Sequence, residues 1–113
     1  MSRILRLFVS FSLGLIMSVP VVSFADLQIY TVIIKDHTFS PAEIIIPAKT
    51  KVKLIVKNQD PTPEEFESYD LNREEVVSGN GAITVFLGPL KKGKYQFFGD
   101  FNQDKAQGII IAQ

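Results

Sequence analysis

Cysteine and tryptophan are both absent from this 113-residue chain, and histidine occurs once, as His37. Without cysteine there can be no disulfide, no thiolate zinc site, no thioredoxin-type chemistry and no cysteine nucleophile. One histidine excludes any catalytic scheme or metal site that needs two imidazoles. An excess of charge of one sign is lacking too. Twelve basic residues stand against twelve acidic ones, so no overall basic field is available for holding nucleic acid. The chain shows no internal repeat, no low-complexity tract and no long helical period. Its length allows one domain and leaves little room for a second.

What is present begins at the N-terminus. Arg3 and Arg6 precede an uncharged apolar run over residues 7–22, with Pro20 interrupting its end and Ser23-Phe24-Ala25 closing it. A basic start, an apolar middle and a small-x-small exit describe a secretory signal with cleavage after Ala25. The run is short against the roughly 20 apolar residues that span a bilayer, and a retained anchor is the alternative. The expected organisation is therefore a signal over residues 1–25 and one folded, exported domain over 26–113. Removing both arginines would leave ten basic against twelve acidic residues.

The remainder reads as short strands. Residues 28–35 are β-branched or aromatic on both parities, which predicts a strand covered on both faces. Residues 51–57 alternate, with Val52, Leu54 and Val56 on one side and Lys51, Lys53 and Lys57 on the other, the pattern of a half-buried strand. Further strand-like runs occupy 43–46, 73–77, 82–87, 94–98 and 108–111, separated by turns rich in Gly, Pro, Asn and Asp. About seven short strands without helical periodicity predict an all-β sandwich with Val52, Leu54, Val56, Val85, Leu87, Tyr95 and Phe97 inside. Phe66, Phe86, Phe98 and Phe101 are expected to pack in the core or at one end. An immunoglobulin-type sandwich lacks its cysteine pair and its tryptophan.

Acid is concentrated in one place. Asp60, Glu64, Glu65, Glu67, Asp70, Glu74 and Glu75 fall within sixteen residues, against the single base Arg73. Carboxylates are hard oxygen donors that suit Fe³⁺, Mn²⁺ or Ca²⁺ and also take Cu²⁺ with an imidazole. The alternative is a solvated acidic connection that keeps a small exported protein soluble.

Three segments resemble the cupredoxin-like family, in particular the EfeO-type domain of bacterial periplasmic iron-uptake systems. They are residues 34–47 (IKDHTFSPAEIIIP), residues 52–60 (VKLIVKNQD), and residues 93–102 (GKYQFFGDFN) closing with AQGIII at 106–111. The resemblance implies a Greek-key β-sandwich in the periplasm. It also sets Glu64 at the first histidine ligand of a blue-copper protein, Gly99 at the cysteine, Asn102 at the second histidine and Ala106 at the methionine. A blue-copper centre needs a thiolate, two imidazoles and a weak axial ligand, so this chain cannot build one.

The leading expectation is a metal-binding module, accessory to iron or copper acquisition, that delivers its ion to an inner-membrane iron permease or a larger periplasmic binding protein. Its candidate ligands are Glu64 first, Glu67 next, Asp100 and Asp104 across the last loop, and His37 in the first turn. If Pro63 opens a helical turn, Glu64 and Glu67 share a face; if the segment is a strand, Glu64 shares the parity of Phe66, and Glu65 and Glu67 oppose it. Either way Glu64→Gln is expected to leave the apo protein's stability unchanged or slightly raised, through relief of like-charge repulsion. A non-metal adaptor that binds another envelope protein is the second expectation. No nucleophile–base pair can be assembled, so an enzyme is not expected.

Overall fold

Alternation along each strand decides which side chains meet the core, and in the computed structural model it runs through almost every strand. The structure describes residues 14–15 and 26–113. The signal assigned to residues 1–25 therefore lies, apart from Gly14 and Leu15, outside the described residues. Nine strands are formed among the described residues: β1 (Ile29–Lys35), β2 (Thr38–Ser40), β3 (Glu43–Ile46), β4 (Val52–Asn58), β5 (Glu64–Ser68), β6 (Arg73–Val77), β7 (Ala82–Leu87), β8 (Gly93–Gly99) and β9 (Gln107–Ala112). Among the described residues, no helix is long and apolar enough to cross a membrane.

The strands build two sheets, ordered β2-β1-β4-β7 and β3-β9-β8-β5-β6. β1 runs parallel to β4 and β3 parallel to β9, while the other pairs are antiparallel. The result is the expected two-sheet Greek-key sandwich. Val52, Leu54 and Val56 of β4 lie between the sheets with Val85 and Leu87 of β7, Val32 and Ile34 of β1, and Ile110 of β9. Burying a side chain of this size contributes about 1.5–3 kcal/mol. Phe39, Phe66 and Phe97 fill the space towards one end, with Phe39 edge-on to Phe97 at 4.9 Å and Phe66 tilted on Phe97 at 5.3 Å between centroids. Tyr95 is half-buried and packs on the rim of this core.

Two expectations are corrected. β1 is covered on one face only: Val32 and Ile34 are buried, while Ile29 on the other face is 57% exposed. Phe86 and Phe101, expected in the packing, are each about half exposed. Of the two alternatives for the segment after Pro63, the strand is the one formed, as β5 over Glu64–Ser68. Sequence hydropathy hid that strand, since three of its five residues are charged and only Phe66 is apolar.

Candidate metal centre

Strand β5 presents its carboxylates to two different environments. It lies between β6 and β8, with Phe66 opposite both Glu75 and Gly99, and Glu67 opposite both Glu74 and Phe98. Glu64, Phe66 and Ser68 point inward and are buried; Glu65 and Glu67 point outward and are half-buried. The helical-turn alternative is thereby excluded, and Glu64 and Glu67 cannot chelate one ion together, because a strand sends neighbours of odd separation to opposite faces.

Glu64 is 1% exposed and fully engaged. Its Oε1 accepts hydrogen bonds from the backbone N–H of Glu65 at 3.0 Å and of Phe101 at 2.9 Å, and its Oε2 accepts one from Asn102 Nδ2 at 2.7 Å. The last two donors belong to the 3-10 turn Asp100–Asn102 that follows β8. That turn is tied back on itself, with Ala106 N–H donating to Asn102 O at 2.8 Å and Gly99 N–H donating to Ala106 O at 2.9 Å.

The outward carboxylates gather elsewhere. One oxygen from each of Glu65, Glu67 and Asp100 lies within 4.8 Å of the others. The Glu65 carboxyl is pushed up to about 7. The main cause is the Glu74 carboxyl, with which it can share a proton; partial burial and the charges of Asp100 and Glu67 add to it. A carboxyl whose pKa is raised by crowding acids gains from a cation that neutralises the group. Three hard oxygen donors at this spacing can ligate an ion such as Fe³⁺, Mn²⁺ or Cu²⁺.

Residues 7–112 match the cupredoxin-like domain family. The chain belongs to the cupredoxin-like family. An uncharacterized protein of Rickettsia prowazekii (strain Madrid E) is 55% identical to it over 78 residues, covering 69% of this chain and 62% of that protein. The chain thus spans under two thirds of that relative's length. Among solved structures it is similar to auracyanin A, a "blue" copper protein of Chloroflexus aurantiacus, at 12% identity and a TM-score of 0.65, covering 75% of this chain and 98% of that one. It is similar also to the metal-binding domain of the Cu(I)-exporting P-type ATPase CopA of Streptococcus pneumoniae D39, at 12% identity and a TM-score of 0.69, covering 77% and 86%. Identities this low carry the fold alone.

Within this cupredoxin-like chain, the four positions that resemble copper-ligand positions do lie together. A Cβ on Gly99 would come within 2.6 Å of both the Ala106 Cβ and the Glu64 Cδ. The residues there do not fit a blue-copper centre. Gly99 and Ala106 carry no donor atom, and Asn102 gives its amide to Glu64. The space that a cysteine side chain would need is filled by the Glu64 carboxyl, which glycine at 99 leaves room for.

The other expected ligands divide. Glu67 and Asp100 are in the outward group, and Glu65 joins them in the place expected for Glu64. Asp104 and His37 are outside it. His37 instead sits beside Asp60, its Nδ1 3.7 Å from Asp60 Oδ2. Asp60 is buried and accepts the backbone N–H groups of Asp36 at 2.8 Å and His37 at 3.0 Å, which pins the β1–β2 turn. The His37 N–H is the largest cause holding the Asp60 carboxyl below its ordinary value. Glu65 was legible as an outward residue from its parity opposite Phe66. Glu74 was legible only as one of the seven clustered acids, because it is the β5–β6 register that brings it beside Glu67.

Proposed function

We propose that this cupredoxin-like protein is a periplasmic metal-binding module that takes an oxidised or divalent cation onto outward carboxylates and hands it on in iron or copper uptake. The observation that carries this reading is the gathering of Glu65 and Glu67, on the outward face of β5, with Asp100 of the turn that follows β8. Partly exposed carboxylates suit delivery, since an ion held by oxygen donors at the surface is free to pass to a receiving site. The resemblance to EfeO-type domains favours iron. The structural likeness to a metal-binding domain solved with Cu(I) makes copper the comparison. The receiving protein would be an inner-membrane permease or a larger binding protein.

Calorimetric titration of the purified protein with Fe³⁺ (as a soluble chelate), Cu²⁺ and Mn²⁺ tests the reading. One of these ions should bind at 1:1, and Glu65→Gln combined with Glu67→Gln should abolish the heat while leaving the melting temperature at neutral pH no lower than that of the unaltered protein. Equal binding by the double variant would remove the metal from this face.

A second reading, an adaptor for another envelope protein, is favoured by a different feature. On the outer face of the four-stranded sheet, Phe86 is 47% exposed beneath the ammonium groups of Lys51 and Lys53, 5.4 Å and 5.8 Å from its centroid. Aromatic and cationic groups together on an open sheet suit protein contact. Absence of heat with all three ions from the folded protein would favour that reading.

A further inference from the structure

The interior of the β5 end holds a buried carboxyl, that of Glu64, at the position that the cupredoxin resemblance sets at the first copper ligand. We infer that the Glu64 carboxylate does the structural work of a metal ion here, acting as a single hub that ties β5 to the loop 99–106, so that the loop is ordered without any cation. Four observations carry this. Glu64 is 1% exposed, and it is among the largest fully buried side chains of the described residues. Its three acceptor bonds reach one donor on its own strand and two on the loop, so both sides converge on one group. No buried side-chain nitrogen or oxygen among the described residues is left without a partner, so nothing inside this end is poised for a missing ion. The Gly99 position leaves the carboxyl the room it occupies, where a Cβ would stand 2.9 Å from Glu64 Oε1. A cation entering here would have to displace hydrogen bonds to a charged acceptor, and such bonds are about twice as strong as neutral ones.

This inference does not depend on the outward carboxylates binding metal, and its test separates the two. Backbone amide exchange is followed at Phe101 and Ala106 in the metal-free protein, with excess EDTA and then with added Cu²⁺. Both amides should be protected in EDTA, and added Cu²⁺ should change neither. Glu64→Ala leaves the two loop donors, Phe101 N–H and the Asn102 amide, without their acceptor and should speed exchange at both amides by roughly tenfold or more, with no rescue by Cu²⁺. Glu64→Gln keeps the shape and should fall between the two, because a neutral amide oxygen can still accept while the Asn102 amide turns to meet its nitrogen. Asn102→Asp should also speed exchange, by setting two carboxyls against each other. The exchanged pair Glu64→Gln with Asn102→Asp should recover most of the protection, which a merely space-filling role for Glu64 would not produce. Unprotected amides in EDTA that become protected with Cu²⁺ only when Glu64 is present would make Glu64 a ligand and overturn the inference. So would full protection in Glu64→Ala.

Discussion

The two faces of strand β5 carry the same chemical group under opposite conditions. On the inner face, the Glu64 carboxyl is desolvated, and two backbone N–H groups and one side-chain amide satisfy it. On the outer face, the Glu65 carboxyl is partly solvated, but its neighbours are other acids, and its pKa rises to about 7. Asp60 repeats the inner pattern at the β1–β2 turn, where backbone donors hold its carboxyl below the ordinary value. Burial alone therefore does not decide what a carboxylate does in this protein. Donors make it a structural tie; like charges make it a site that gains from a cation. This reverses the expectation attached to Glu64. It is not relieved by losing its charge, because it is separated from the acidic group and bound by donors, so Glu64→Gln should lower stability rather than leave it or raise it.

The contrast can be broken most forcefully from the inner side. Phe66 is fully buried against Phe97 and Phe39, so Phe66→Ala should cost about 3–5 kcal/mol, a large part of the total stability of a domain this size. Urea denaturation measures this, and a cost under about 1 kcal/mol would place the inner face of β5 outside the core. Gly99→Ala forces a methyl to 2.6 Å from Ala106 Cβ and Glu64 Cδ, and should cost about 1–3 kcal/mol as the carboxyl is pushed from its donors. Thermal unfolding should then fall by roughly 4–8 °C for each kcal/mol, and an unchanged midpoint would show that the Glu64 hub has slack.

Smaller effects sharpen the electrostatic half of the comparison. Asp60 contributes stability that is present above its unfolded value near 3.8 and is lost as pH falls through its lower folded value. Asp60→Asn keeps one acceptor oxygen of the two in use and should cost about 1 kcal/mol at neutral pH while flattening that acid limb. For Glu65 the sign is opposite. Its contribution is fully present below about 4.5 and is lost as pH rises through about 7, because the folded state holds the proton longer than the unfolded chain. Glu65→Gln should remove this slope, seen as a melting temperature at low salt that no longer falls between pH 5 and 7.5. A slope that survives in the variant would assign it to another group.

How much of this could be read before the structure varies by residue. The alternation of Val52, Leu54 and Val56 against lysines placed β4 and its facing correctly, because a half-buried strand writes its environment into every second residue. The parity of Glu64 with Phe66, and of Glu65 with Glu67, was equally legible once a strand was assumed. Which acid lay in the group was not. A buried glutamate with three donors looks the same in sequence as an exposed one, and its donors at Phe101 and Asn102 are more than thirty residues away. Likewise Phe86 and Phe101 read as core by hydrophobicity, while the β4–β7 register turns Phe86 outward and the turn after β8 leaves Phe101 half exposed.

The amino-acid sequence by itself determined that this chain is a small all-β sandwich and that it cannot hold a thiolate copper centre, since local periodicity and the absence of cysteine act without regard to distant contacts; its cupredoxin-like type was legible only as a family resemblance. Only the tertiary structure decided which carboxylates meet. The register of β5 against β6 sets Glu67 opposite Glu74, and the turn after β8 brings Asp100 to the outer group while it aims Phe101 N–H and the Asn102 amide at Glu64. Those pairings come from strand alignment and loop closure, which depend on the whole sandwich packing at once, and one residue of slip in β5 would exchange the buried tie for the exposed site.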